Sequence, residues 1–246
     1  MGYFAFMCVM LIAYVGVIAV MEKMKNKALF NFIFAVAAFV PYVILMAVVY
    51  SDVGADDWNF RNTLPTANVS PFMFSMVPLI SLLSGKARKY ASTLIALLTL
   101  GMILSPCFGC IYNMVINYKF HEHFLLDYFA HFALSLWGIY LVKTGQVDLN
   151  VRECVKGGAI IVGAATFMLI HNVIFDTAFF GLSLSGKHTI YNQVLVDNSY
   201  LSALLYYVGL VGIMVLGYIF VKIVISLSDR ASKAILDENK EKSEVL

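Results

Sequence analysis

The sequence predicts an all-α membrane protein, a bundle of seven transmembrane helices with the N-terminus outside and the C-terminus in the cytoplasm. Three observations lead there. Of the 246 residues, 61% are hydrophobic and only 13% charged, with a mean hydropathy of +0.83, against about 25% charged residues in a soluble domain. Apolar runs recur at close to the roughly 20 residues that a helix needs to cross the hydrocarbon core. Basic residues collect on alternate loops.

Residues 2–21 make the first span. Its start carries no positive charge, no small-residue cleavage site follows, and the basic residues come after it, so it reads as a membrane helix and not a secretory signal. Residues 28–50 make the second. The third, 69–84, is the shortest. Pro71 lies near its start, where a missing N–H costs little, and Pro78 predicts a kink. Segments 91–112, 124–142, 157–181 and 199–225 complete the set. Residues 1–226 then form the membrane domain, and 227–246 a charged, solvated cytoplasmic tail.

The loops test this order. All 17 basic residues except Arg61, Lys119 and Lys187 fall in segments 22–27, 85–90 and 143–156 or from Lys222 onward. The positive-inside rule selects one orientation at every loop, and an even number of spans would break the alternation. The net charge of +2 and the lack of a basic stripe interleaved with aromatics give nucleic-acid binding no support. Cys8, Cys107, Cys110 and Cys154 are too few and too scattered for a disulfide scaffold. No cofactor is implied. No internal repeat is visible, so an inverted-repeat transporter gains no support.

Ionisable groups inside membrane helices are costly, so their depth is informative. Asp127 and His131 are four apart in the first half of the fifth span. His171, Asn172 and Asp176 occupy the last half of the sixth, which runs outward. Ser105, Pro106, Cys107, Cys110 and Asn113 end the fourth, and Asn68 and Ser70 open the third. All belong to the outer half. They predict one polar pocket open to the outside and closed below by an apolar plug. The loop carboxylates Asp52, Asp56 and Asp57 add acidic character at its mouth.

Each group has two readings. Asp127 and His131 are either an acid–base pair with a fixed tautomer or an interfacial pair that satisfies itself. His171, Asn172 and Asp176 either hold a ligand or join helices. Cys107 and Cys110, three apart in Pro-Cys-Phe-Gly-Cys, suit a redox pair or close helix packing. His121, Glu122 and His123 fit a hydrated loop better than a metal site. Ala159 and Gly163 are a small-xxx-small pair and predict close helix contact.

The stretch from about 64 to 201 resembles the YwaF-like bacterial integral membrane proteins, which are related to a eukaryotic membrane lipid acyltransferase. The landmarks are Leu64-Pro65, the basic turn Lys86 to Lys89, the Pro106 region, Tyr128-Phe129-Ala130-His131, Asn172, and Asn198-Ser199-Tyr200-Leu201. The resemblance implies a multi-pass protein of a bacterial plasma membrane, with His131 and Asn172 as site residues. Where the family pattern reads L-P-x-H-x-C, this chain has Ala67 and Val69 at the His and Cys positions. A nucleophile would then have to be Ser70, Cys107 or Cys110.

Three functions follow as expectations. The site binds or acts on a lipid or acyl group, with His131 as base, Asp127 orienting it, and Ser70, His171, Asn172, Asp176 and Asn113 holding the ligand. Alternatively it holds a small solute as part of a transport system. In the third, the helices mainly contact another membrane protein. A retinal pigment is excluded, because the last span has no lysine before Lys222 at its inner end.

Overall fold

A computed structural model describes residues 2–55, 61, 63–65, 68–116, 123–182 and 199–244. Seven α-helices run through these segments, with no strand among the described residues. They are α1 (Gly2–Val20), α2 (Lys27–Val53), α3 (Val69–Leu82), α4 (Gly85–Ile116), α5 (His123–Lys143), α6 (Val151–Phe175) and α7 (Ser199–Glu244). All except α3 are long and apolar enough to cross a membrane. The chain is a multi-pass helical membrane protein. At 14 residues, α3 spans about 21 Å at 1.5 Å per residue, short of the roughly 30 Å hydrocarbon core.

Polar side chains mark the helix starts. Asn26 accepts the Leu29 N–H at α2, and Asn150 accepts the Glu153 N–H at α6. Each satisfies a first-turn donor that has no intrahelical partner. Several boundaries differ from the sequence reading: the fourth helix begins at Gly85 and not 91, and the sixth ends at Phe175 and not 181. The sixth helix begins at Val151, six residues earlier than predicted, because the Asn150 cap and a tolerated polar first turn extend it into the loop. The last helix continues unbroken to Glu244, so the charged segment after 226 prolongs α7 instead of leaving it.

The centre of the bundle is α5, which packs most extensively against α2 and α4; α4 also packs on α6 and α7. Burial follows this order. In their apolar windows, 67% of residues are buried in α4 and α5, but only 22% in α1, α6 and α7. The outer helices therefore turn apolar faces outward, including Ile12, Phe32, Phe167 and Leu204, as lipid-facing surfaces do.

Helix association in lipid depends on close backbone approach. A Cβ on Gly138 of α5 would collide with the Thr99 hydroxyl and lie 3.0 Å from the Ile95 carbonyl of α4. One on Gly217 of α7 would overlap the Leu97 carbonyl of α4. Polar pairs lock the same crossings. Ser135 Oγ donates to Thr99 O at 3.1 Å and lies 2.7 Å from the Tyr14 hydroxyl of α1. Trp137 Nε1 donates to Asn31 Oδ1 at 3.0 Å, and Asn31 Nδ2 to Gln146 Oε1 at 2.7 Å. Two separate networks of neutral polar side chains, one on Ser135 and one on Asn31, therefore join the helices that meet along α5.

Gly217→Ala and Gly138→Ala are each expected to destabilise the detergent-solubilised protein by about 1–3 kcal/mol through overpacking. Gly163→Ala should be close to neutral, since nothing lies within 4 Å of its Cβ position. Thermal unfolding of the three variants side by side checks this.

Candidate functional site

The Asp127–His131 pair forms as its spacing predicts. His131 is buried, and its Nδ1 lies 2.8 Å from the Asp127 carbonyl and 3.2 Å from Asp127 Oδ1. Both are acceptors, so the proton belongs on Nδ1 and the Nε2 lone pair is left bare. Nε2 has no hydrogen-bond partner among the described residues, and the ring sits edge-on to Phe74 of α3 at 4.9 Å. This is a fixed basic nitrogen against an aromatic wall at the α3–α5 contact.

Cys107 does not join it. Cys107 Sγ lies 3.4 Å from the Tyr128 hydroxyl, so its polar contact is with Tyr128 and not with His131. Cys110 and Asn113 lie on the last turns of α4, and their side chains fall outside the described residues. Asp56, Asp57, Ala67, Lys119, His121, Glu122, Lys187 and Asn198 also lie outside them.

The second group is a cap and not a ligand cage. Asn172 Nδ2 donates to the Phe179 and Leu182 carbonyls at 2.8 and 2.6 Å. Its Oδ1 accepts the Thr177 hydroxyl at 2.7 Å and the Phe179 N–H at 2.8 Å. One buried amide thus makes four bonds to the segment that follows its own helix. Asp176 has left the helix: it is the C-cap, left-handed at φ 51°, so Asn172 and Asp176 do not share a helical face. His171 Nδ1 lies 3.1 Å from the Thr177 hydroxyl, with its ring against Phe175 and Phe179.

The two histidines therefore serve different neighbours. Helices α5 and α6 make at most marginal contact, and α4 stands between them. This corrects the expectation of one hollow lined by both.

A cleft does open in the same half of the bundle, between the start of α3, α4 and α7. Its volume is about 350 Å³. Asn68, Ser70, Ser105 and Tyr206 supply polar atoms, and Leu98, Met102, Leu210 and Ile213 an apolar depth. Of the residues predicted to form a polar pocket, Asn68, Ser70 and Ser105 line it; neither histidine does. Sequence reasoning missed Tyr206 and the small residues Gly101 and Gly209 that make room. The signal for part of this was Gly101 and Ser105, a small-xxx-small pair on α4.

The start of α3 is not an oxyanion hole. The Val69 N–H goes to Asn68 Oδ1 at 3.2 Å, the Phe72 N–H goes to Asn68 O at 3.1 Å, and Pro71 has none. At most the Ser70 N–H remains. Ala159 and Gly163 are both exposed, so they do not form the tight packing pair their spacing predicts; Gly157 does, with a Cβ position 3.0 Å from the Thr93 side chain.

Comparison with family models, curated sequences and solved structures finds no match to this chain.

Asn172→Asp keeps the shape but removes both Nδ2 donors and leaves two carbonyls short of a partner. It should cost about 1–3 kcal/mol in thermal unfolding. His131→Phe, which removes only an unpaired nitrogen and the bonds to Asp127, should cost less than His131→Ala, which opens a cavity beside Phe74.

Proposed function

We propose that the protein crosses a bacterial plasma membrane seven times, N-terminus outside, and binds a lipid or acyl-bearing molecule in the cleft between α3, α4 and α7. The observation that carries this reading is the cleft's division into a polar rim and an apolar depth. Asn68, Ser70 and Ser105 offer hydroxyl and amide groups to a headgroup or carboxyl, while Leu98, Met102 and Ile213 suit a chain. In this reading the short α3 makes the remaining crossing, and positive-inside charge sets the orientation.

Binding is favoured over covalent chemistry on two grounds. The base His131 has no nucleophile as a hydrogen-bond partner among the described residues, and α3 lacks the paired donors that an acyl intermediate needs. The resemblance to the YwaF-like proteins agrees with a lipid as ligand, and the missing family Cys agrees with the loss of catalysis. His131 then acts as a positioning residue that holds α3 against α5 through Phe74.

Two measurements check this. A photoactivatable palmitate added to the purified protein should label peptides carrying Ser70, Ser105 or Tyr206. Gly209→Leu fills the cleft from a position with nothing within 4 Å of its Cβ, and should reduce labelling about tenfold or more while leaving the unfolding temperature near that of the parent. Labelling spread evenly over the lipid-facing helices, or unchanged by Gly209→Leu, would remove the proposal. For orientation, a C-terminal fluorescent-protein fusion should be bright and a C-terminal alkaline phosphatase fusion inactive; the opposite pattern rejects the topology.

A further inference from the structure

A second groove runs between α6 and α7 in the half of the bundle opposite the cleft. Leu97 of α4 forms its floor, and Val155, Ala159, Val211 and Val215 form its walls. Its volume is about 470 Å³, within the roughly 300–1,000 Å³ range of ligand sites. Its lining is apolar throughout. A chain lying in it would touch three helices, where an ordinary lipid on a flat helix face touches one.

Charge marks one end only. The groove ends at Val151 and Cys154 on α6 and at Tyr218 on α7. Arg152 follows Val151 and is exposed. Lys222 is exposed one turn beyond Tyr218, with Nζ 5.4 Å from the centre of that ring. From Lys222 the same face of α7 continues as a polar recess with Ser226, Asp229 and Arg230. The neighbouring carboxylates are already engaged. Glu153 pairs with Lys89 at 3.4 Å, Asp229 lies 3.8 Å from the buried Lys143 ammonium, and Asp148 accepts the Asn150 amide at 2.9 Å. Neither Lys222 nor Arg152 has a salt-bridge partner among the described residues. Lys156, the other cation nearby, is turned to the Tyr90 hydroxyl at 2.8 Å.

We propose that this groove is a binding site for an anionic phospholipid: one acyl chain between α6 and α7, and the phosphate on Lys222 and Arg152. An apolar slot that opens at one end onto two uncommitted cations matches the two ends of such a molecule, and basic pockets between membrane helices are a recognised mode of anionic-lipid capture. A zwitterionic lipid offers the same chain but less net attraction at the cations. The inference is independent of the outer cleft and of any activity there.

The test is native mass spectrometry of the full chain released from nanodiscs made of equal parts phosphatidylglycerol and phosphatidylcholine with identical chains. The parent protein should retain phosphatidylglycerol in preference to phosphatidylcholine. Replacing exposed Lys222 and Arg152 by Gln should lower that preference about fivefold per residue. Ala159→Phe puts bulk into the groove from an exposed position and should lower retention of both lipids. Equal retention of the two lipids by the parent, or an Ala159→Phe variant that retains phosphatidylglycerol as well as the parent does, overturns the proposal. So does a second copy of the chain, released by Ala159→Phe, in place of a lipid.

Discussion

At the crossing of α4 and α5 two backbones come close enough that a single methyl group would not fit between them. Gly138 permits the approach, and Ser135, three residues earlier, uses it by donating to the Thr99 carbonyl while meeting the Tyr14 hydroxyl from α1. In an apolar solvent there is little hydrophobic gain from bringing helices together, so contact area and satisfied polar groups must do it. Everything else is arranged around this pair: α2 lies along α5, while α6 and α7 lie along α4.

That arrangement explains why the half of the bundle holding His131 and Asn172 has separate polar features instead of one chamber. With α4 between α5 and α6, the polar residues of those two helices must find partners near home. Asn172 finds them in the segment just beyond its own helix, and His131 finds them one turn back on α5. The open space lies where small residues leave it, at Gly101 and Gly209 on the faces of α4 and α7 that look toward Ser70.

The opposite end, where α5 finishes, is held differently. Lys143, at the end of α5, meets Glu22 at 3.3 Å and reaches Ser228 and Asp229 on α7. Tyr140 donates to the Met24 carbonyl at 2.9 Å, and Lys27 to the Thr144 carbonyl at 2.7 Å. These bonds tie the α1–α2 turn, the end of α5 and α7 around Ser228 and Asp229 into one unit. Among the described residues, Lys222 and Arg152 at the same end have no salt-bridge partner, so its positive charge is not all used in holding the fold.

Some of this was legible in the residues alone. Runs of apolar side chains specify helices and a membrane as solvent, since lipid admits no other way to satisfy the backbone in a short apolar segment. A four-residue spacing was enough to join Asp127 to His131, because a helix brings those positions together whatever surrounds it. Spacing could not say which helices touch. Asn172 looked like an interhelical or ligand-binding group, yet its partners are the carbonyls of a local turn. Ala159 and Gly163 looked like a contact, yet they face outward. A helix shows the same sequence on every side, and only its neighbours decide which side is interior. Tertiary packing put α4 between the two histidines, opened the cleft at Ser70 and the groove at Ala159, and so decided where a ligand can go.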